Sequence, residues 1–261
     1  LLERAWAQLL NLVQETQGLI VAFGLPLLHE GEVYNVAAMA CDGALVALIP
    51  KRYLAGDGLH YEPRWFKPWP IARASVHKVD SLEVPIGDLH LDCGGVRVGV
   101  EVCRDAWVDA RPAAALEAEG VDLIMNPSAT HFAFEKLAIR EALSIQASRD
   151  YGVTFIHSNL LGNESGRAIY DGGTLIASEG EIIARARRFG YLDGEVTMAT
   201  VKVEEREITH ASPRCVSLPF AWVESDPIDS PIREASSWEQ SPYVKEESFT
   251  RAIALALFDY L

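Results

Sequence analysis

The sequence predicts an α/β fold built on mixed sheets. Three observations predict it. Apolar runs of strand length alternate with amphipathic helical stripes, some runs are joined by hairpin signals, and 49% hydrophobic content allows a sizeable core. At 261 residues the chain corresponds to one or two domains, and a chain of this length buries roughly 70–75% of its unfolded surface.

The elements follow in order. Leu2, Trp6, Leu9 and Val13 recur at helical spacing, and Gly18 stops the run. Residues 19–24 read as a buried strand. Residues 33–40 and 44–49 flank Cys41-Asp42-Gly43, and Asp-Gly between apolar runs is a hairpin signal. Residues 51–93 show little periodicity. Trp65, Trp69, Pro63, Pro68 and Pro70 mark them as an ordered, site-forming loop. Residues 96–102 form a strand broken by Arg97 and Glu101, with Cys103 directly after it. Pro112 opens a short helix over 113–119 and Gly120 closes it. Residues 121–125 read as a strand, and 126–130 as a turn with capping side chains. A helix over 134–151 is expected to bury Leu137, Ala138, Ala142 and Ile145. Further strands are expected at 153–158, at 174–177 and 181–185 around Ser178-Glu179-Gly180, and at 195–203. From about residue 206, Pro213, Pro219, Pro227, Pro231 and Pro242 interrupt regular structure, as in a linker or extended arm. Residues 246–261 resume a helical stripe through Phe249, Ile253, Leu257 and Tyr260.

The net charge is 23 − 37 = −14. That argues against a nucleic-acid or anionic-membrane surface, which needs clustered Lys and Arg. No apolar run approaches the ~18 residues of a membrane span, and no signal-peptide pattern opens the chain. Four cysteines, none in a CxxC pair, read as reduced thiols of a cytoplasmic protein. The chain begins with Leu1 inside one helical pattern and ends inside another, so it is expected to be a piece of a longer protein.

The sharpest chemical signal is Gly99-Val100-Glu101-Val102-Cys103-Arg104-Asp105-Ala106-Trp107. A thiol that ends a buried strand and opens a turn has the geometry of a nucleophile, and the next backbone N–H can face an oxyanion. The competing reading is a small buried structural thiol. A Cys-His protease pattern is weak, because only His60 and His131 fall in candidate loops. No Cys/His spacing suits zinc. Lys51 closes a strand and opens the long loop, where an ammonium could stabilise a thiolate and an oxyanion. Glu62, eleven residues on, could orient it.

These residues match a known pattern. Pro50-Lys51-Arg52-Tyr53-Leu54-Ala55-Gly56-Asp57-Gly58 and Tyr61-Glu62-Pro63-Arg64-Trp65-Phe66-Lys67-Pro68-Trp69 resemble the lysine loop of glutamine-dependent NAD synthetases, most of all the eukaryotic-type branch. Glu101-Val102-Cys103-Arg104-Asp105-Ala106-Trp107 looks like that family's nucleophile motif. Asn126-Pro127-Ser128-Ala129-Thr130-His131-Phe132, with Lys136 and Arg140 beyond it, is similar to the next strand-to-helix turn. Tyr170-Asp171-Gly172 fits, and residues 238–261 resemble the entry into the synthetase half.

The resemblance implies a nitrilase-like α-β-β-α sandwich of mixed sheets lacking its first strand and helix. It implies a glutaminase (carbon–nitrogen hydrolase) domain over 1–205, a linker or arm over 206–242, and the first helix of a synthetase domain over 243–261. Cys103 would be the nucleophile, Lys51 the oxyanion-stabilising cation and Glu62 the carboxylate that holds Lys51. Trp107 would wall the substrate pocket, and Thr130 and Lys136 would contact the α-carboxylate end of glutamine. Relatives carry an acidic residue just after the nucleophile, facing the substrate's α-ammonium. Arg104 stands there in this chain, leaving Asp105 as the substitute. None of Glu3, Glu15, Glu30 and Glu32 has the context of the general base, which is expected upstream of Leu1. The implied partners are glutamine, a synthetase domain of the same polypeptide and further copies in a homo-oligomer. No cofactor is implied in this domain; ATP and magnesium would serve the synthetase domain, and this piece would be inactive alone. Two other readings stay open: a stand-alone nitrilase-type amidohydrolase and a catalytically incomplete scaffold fragment.

Overall fold

The computed structural model describes residues 1–164, 167–203, 212–223 and 234–261. They divide into two units: Leu1–Pro127 with the described part of Val203–Glu224, and Ser128–Lys202 with the described part of Ser225–Leu261.

The first unit opens with α1 (Leu2–Val13), followed by the antiparallel strands β1 (Ile20–His29), β2 (Glu32–Cys41) and β3 (Ala44–Pro50). Each connection has two residues of positive φ: Glu30-Gly31 (51° and 83°) and Asp42-Gly43 (48° and 79°). Tight hairpins that match strand twist need that conformation. The second turn is where Asp-Gly predicts it. The first hairpin corrects the sequence reading, because β1 reaches His29 instead of ending at Gly24. β1 continues through Pro26 because it lies at the sheet edge, where a missing N–H is tolerated.

Residues 51–93, expected as one irregular loop, also need correction. β4 (Ala74–Val79), β5 (Leu82–Gly87) and β6 (His90–Cys93) occupy the second half. Their inward residues are few, and exposed charges such as the cross-strand pair Lys78–Glu83 (2.6 Å) hide the alternation. One sheet has the order β1-β2-β3-β5-β4, with β3 parallel to β5. In the other, β6 is antiparallel to β7 (Val96–Val100), and β7 is parallel to β8 (Leu123–Ser128). Cys215–Leu218 runs parallel to β6 as a further strand. It lies inside the segment 206–242 expected as a linker or arm; residues 206–211 and 224–233 of that segment fall outside the described residues.

β2 shows how the layers form. Val36, Ala38 and Ala40 face a core with Leu9 and Val13 of α1 and with Trp69. Ala37, Met39 and Cys41 face a second core with Leu91, Cys93, Val98 and Val100. A strand buried on both faces reads as a continuous apolar run. On β7, a Cβ on Gly99 would stand 2.7 Å from a Leu116 methyl of α2 (Ala113–Ala118). Only glycine lets that helix pack so closely. The first unit therefore layers helix, sheet, sheet and helix.

The second unit holds α3 (Lys136–Asp150), β9 (Thr154–Asn159), β10 (Leu161–Glu164), β11 (Ala168–Asp171), β12 (Leu175–Ser178), β13 (Glu181–Arg185) and α4 (Val244–Tyr260). β12 pairs antiparallel with both β9 and β13, and β10 with β11. No strand forms at 195–203, contrary to expectation. Val196 there is 82% exposed, so its alternating pattern meets no sheet.

α3 turns a different face inward from the one its apolar residues suggest. It buries Arg140, Ser144, Ala147 and Ser148, while Ala138 and Ala142 are exposed and Leu137 and Ile145 half-buried. A buried ion cluster sets that orientation. Arg140 donates to Asp171 Oδ2 (2.6 Å) and the Gly172 carbonyl (3.1 Å), and Arg188 donates to the same Asp171 oxygen (3.2 Å). Arg188 also bonds Glu239 (2.7 Å) and lies over the Trp238 ring. Ala252 and Leu255 of α4 pack with Phe189, Phe132 and Trp238. Among the described residues, no helix is long and apolar enough to cross a membrane.

Asp171 is 1% exposed. Asp171→Ala strips two guanidiniums of a shared buried carboxylate and should cost about 3–5 kcal/mol in urea unfolding. A loss below about 1 kcal/mol would show that the cluster does not orient α3.

Candidate active site

Lys51 follows β3 and is 1% exposed. Its backbone is fixed on both sides: its N–H donates to Asn35 O (2.8 Å) and its carbonyl accepts from Trp69 N–H (3.0 Å). Its ammonium meets both oxygens of Glu62, at 2.9 and 2.7 Å. Glu62 opens the short 3-10 turn Glu62–Arg64. It also accepts from Asn35 Nδ2 (2.9 Å) and Ala55 N–H (2.6 Å). One carboxylate thus receives a side-chain cation, an amide and a backbone donor, which offsets much of the cost of burying the pair.

Cys103 starts the 3-10 turn Cys103–Trp107 beyond β7. Its φ of 48° is a left-handed conformation that costs a non-glycine residue about 1–2 kcal/mol. Such strain persists only where the surroundings over-determine it. Here both flanks are pinned. Asn126 Nδ2 donates to Glu101 O (2.6 Å) and Cys103 O (3.3 Å). The Glu101 side chain is 0% exposed, pairs with Arg111 and accepts Ala113 N–H (2.8 Å), which ties the strand end to α2. Glu101, read in sequence as a mere interruption of an apolar strand, is the signal that could have revealed this anchor.

Asp105 departs from expectation. As the substitute acid facing a substrate ammonium it would need exposure, but it is 2% exposed. Its oxygens are taken by the backbone N–H groups of Tyr53 (2.8 Å), Arg52 (3.1 Å) and Val102 (3.2 Å). Burial pushes its carboxyl up to about 7, against the lowering effect of the Tyr53 amide and of Lys51. Arg104, the other sequence-predicted contact, bonds Asp57 on the lysine loop at 2.7 Å. That hydrogen bond holds the Asp57 carboxyl below the usual range. Trp107 closes the turn, half-buried.

The first unit therefore brings the lysine loop and the cysteine turn together at two points, Asp105 to the Arg52 and Tyr53 amides and Arg104 to Asp57, while Glu62 holds Lys51 within the loop. Thr130 and Lys136 belong to the second unit. Thr130 is 3% exposed and exchanges backbone bonds with the Asn159 amide (2.8 and 3.0 Å). Lys136 Nζ sits 3.3 and 3.4 Å from the two ring nitrogens of His131. Of the carboxylates without the context of a general base, Glu30 is engaged by Arg73 (2.5 Å) and Ser75 (3.2 Å). Among the described residues, no group of three or more His, Cys, Asp or Glu is arranged to hold a metal ion.

No protein-family model matches the chain. Curated relatives do. A glutamine-dependent NAD(+) synthetase of Saccharomyces cerevisiae is 32% identical over 233 residues, covering 85% of this chain. One from Mus musculus is 29% identical over 268 residues, covering 94%. The crystal structure of a glutamine-dependent NAD(+) synthetase from Cytophaga hutchinsonii matches with a TM-score of 0.68 and 35% identity, over 74% of this chain and 31% of that one. The chain is homologous to the glutamine-dependent NAD synthetases. It spans 33% and 37% of the length of the yeast and mouse relatives. An amidase from Nesterenkonia, 21% identical with a TM-score of 0.56 over 71% of this chain, shares the fold. The α-β-β-α sandwich inferred from the resemblance is thus the nitrilase-type fold.

The strain at Cys103 gives a direct check. Cys103→Gly should be more stable than Cys103→Ala by about 1 kcal/mol in denaturant unfolding, because glycine adopts positive φ freely. At an ordinary position alanine is the more stable of the two.

Proposed function

We propose that this chain is the glutaminase half of a glutamine-dependent NAD synthetase. The observation that carries the reading is the buried Lys51–Glu62 pair, on a loop bonded through Asp105 to the turn that holds a strained Cys103. That is an arrangement for acyl transfer, with a nucleophile at the end of a buried strand and an oriented cation for the oxyanion. The homology to NAD synthetases supplies the substrate class.

The thiol proton passes to a general-base glutamate, which we assign to no residue of this chain. The thiolate attacks the side-chain amide carbon of glutamine. Lys51 and the Arg104 N–H stabilise the tetrahedral oxyanion. The C–N bond breaks, the base returns its proton to the leaving nitrogen and ammonia departs. Water then cleaves the thioester, releasing glutamate and restoring the thiol. Trp107 walls the pocket on the side of the cysteine turn. Ammonia amidates nicotinic acid adenine dinucleotide in the synthetase half, the site of ATP and magnesium.

In the full-length protein, Cys103→Ala should lower glutamine-dependent NAD formation at least about 10³-fold and leave ammonia-dependent formation intact. Retained glutamine hydrolysis would sink the mechanism. Hydrolysis of simple amides with no NAD formation from either nitrogen source would favour a stand-alone amidohydrolase.

A further inference from the structure

The lysine loop and the cysteine turn come from distant parts of the sequence, and an acyl-transfer site needs them in fixed register. A misplacement of about 1 Å can cost 10²-fold in rate. The Asp105 carboxylate spans that gap. Oδ1 accepts the N–H groups of Arg52 and Tyr53, the two residues after Lys51. Oδ2 accepts the N–H of Val102, the residue before Cys103, and at 3.4 Å a share of the Arg52 N–H. The backbone N–H of Asp105 donates to the Val102 carbonyl (3.1 Å), closing the turn on itself. The side chain of Arg52 is fixed as well, through Asp88 (2.7 Å). Asp105 is thus one residue removed from Lys51 on one side and one residue, through Val102, from Cys103 on the other.

We propose that Asp105 is the positioning residue that sets the Lys51 ammonium against the Cys103 thiol, and that it does so only as a carboxylate. The proposal rests on reading Cys103 as the nucleophile, not on glutamine as the substrate. A carboxylate has acceptors on both oxygens. A carboxylic acid or an amide turns one of those positions into a donor, which then faces another donor. Either the bond to Val102 or the bond to Tyr53 is lost, and the shared Arg52 bond is weakened. The charged groups facing Asp105 are Lys51, which favours ionisation, and Glu101, which opposes it. With burial the larger effect, the carboxyl titrates at about 7. The anchor is therefore formed above that pH and weakens as pH falls through it.

The test is the rate of Cys103 alkylation by iodoacetamide on the full-length protein, resolved by site with mass spectrometry, with Cys215 as the internal control. Asp105→Asn should slow Cys103 at pH 8 by about tenfold or more and leave Cys215 unchanged. Lys51→Met should give a similar loss, and the double variant little further loss, because Asp105 acts through Lys51. Wild-type reactivity in Asp105→Asn, or losses that multiply in the double variant, would overturn the proposal. If Asp105→Asn does not fold, hydrogen exchange on the wild type decides. Protection of the Arg52 and Tyr53 amides, corrected for intrinsic rate, should fall between pH 8 and pH 6 while β2 amides hold. Unchanged protection would overturn it. A wild type that alkylates in this pattern but hydrolyses no glutamine refutes the glutaminase reading alone.

Discussion

Burying the ammonium of Lys51 is the constraint around which the site is built. A cation removed from water costs several kcal/mol unless a carboxylate and further hydrogen bonds compensate it. Glu62 is that carboxylate, and meeting Lys51 dictates the path of the intervening chain. The loop must return within eleven residues, which the Glu62 N–H bond to Ala55 O (2.9 Å) and the short turn after it achieve. Trp69 then seals the loop against the core, packed edge-on to Tyr34 at 5.0 Å. The cation's position is therefore inherited from the hydrophobic core and not from a free surface loop.

The cysteine turn obeys the same logic with a different balance. Glu101 has a cationic partner, Arg111, whereas Asp105 is held by backbone amides among the described residues. Its raised carboxyl carries a stability consequence. A buried acid titrating at about 7 instead of the usual ~3.9 contributes fully to stability only below the unfolded value. That contribution is lost as pH rises through about 7. Keeping an anionic anchor at neutral pH thus works against the fold while it holds the site together. Activity and stability are set against each other at one carboxylate, a trade seen where sites store strain.

Much of this was legible in the sequence, for identifiable reasons. Strands buried on both faces, such as β2, and turns with Asp-Gly or Glu-Gly leave strong local signals. Cys103 and Lys51 drew attention as a thiol at a strand end and a lysine before an aperiodic loop, and their roles, with that of Glu62, came from the resemblance. The inner face of α3 was not legible, since a three-dimensional ion cluster at Asp171 outweighed the apolar stripe. Nor was the strand past Pro26, whose tolerance depends on edge placement. The role of Asp105 was misread because two of its three donors, the Arg52 and Tyr53 amides, lie in a distant segment, and spacing along the chain does not reveal who bonds a carboxylate.

The central claim is that Cys103 forms the acyl bond. It is tested most directly by treating the full-length protein with a glutamine analogue that carries a diazoketone in place of the side-chain amide, then locating the adduct by mass spectrometry. The account predicts a single adduct on Cys103, prevented by excess glutamine and absent from Cys41, Cys93 and Cys215. An adduct elsewhere, or unmodified Cys103 in a protein that still hydrolyses glutamine, would contradict it.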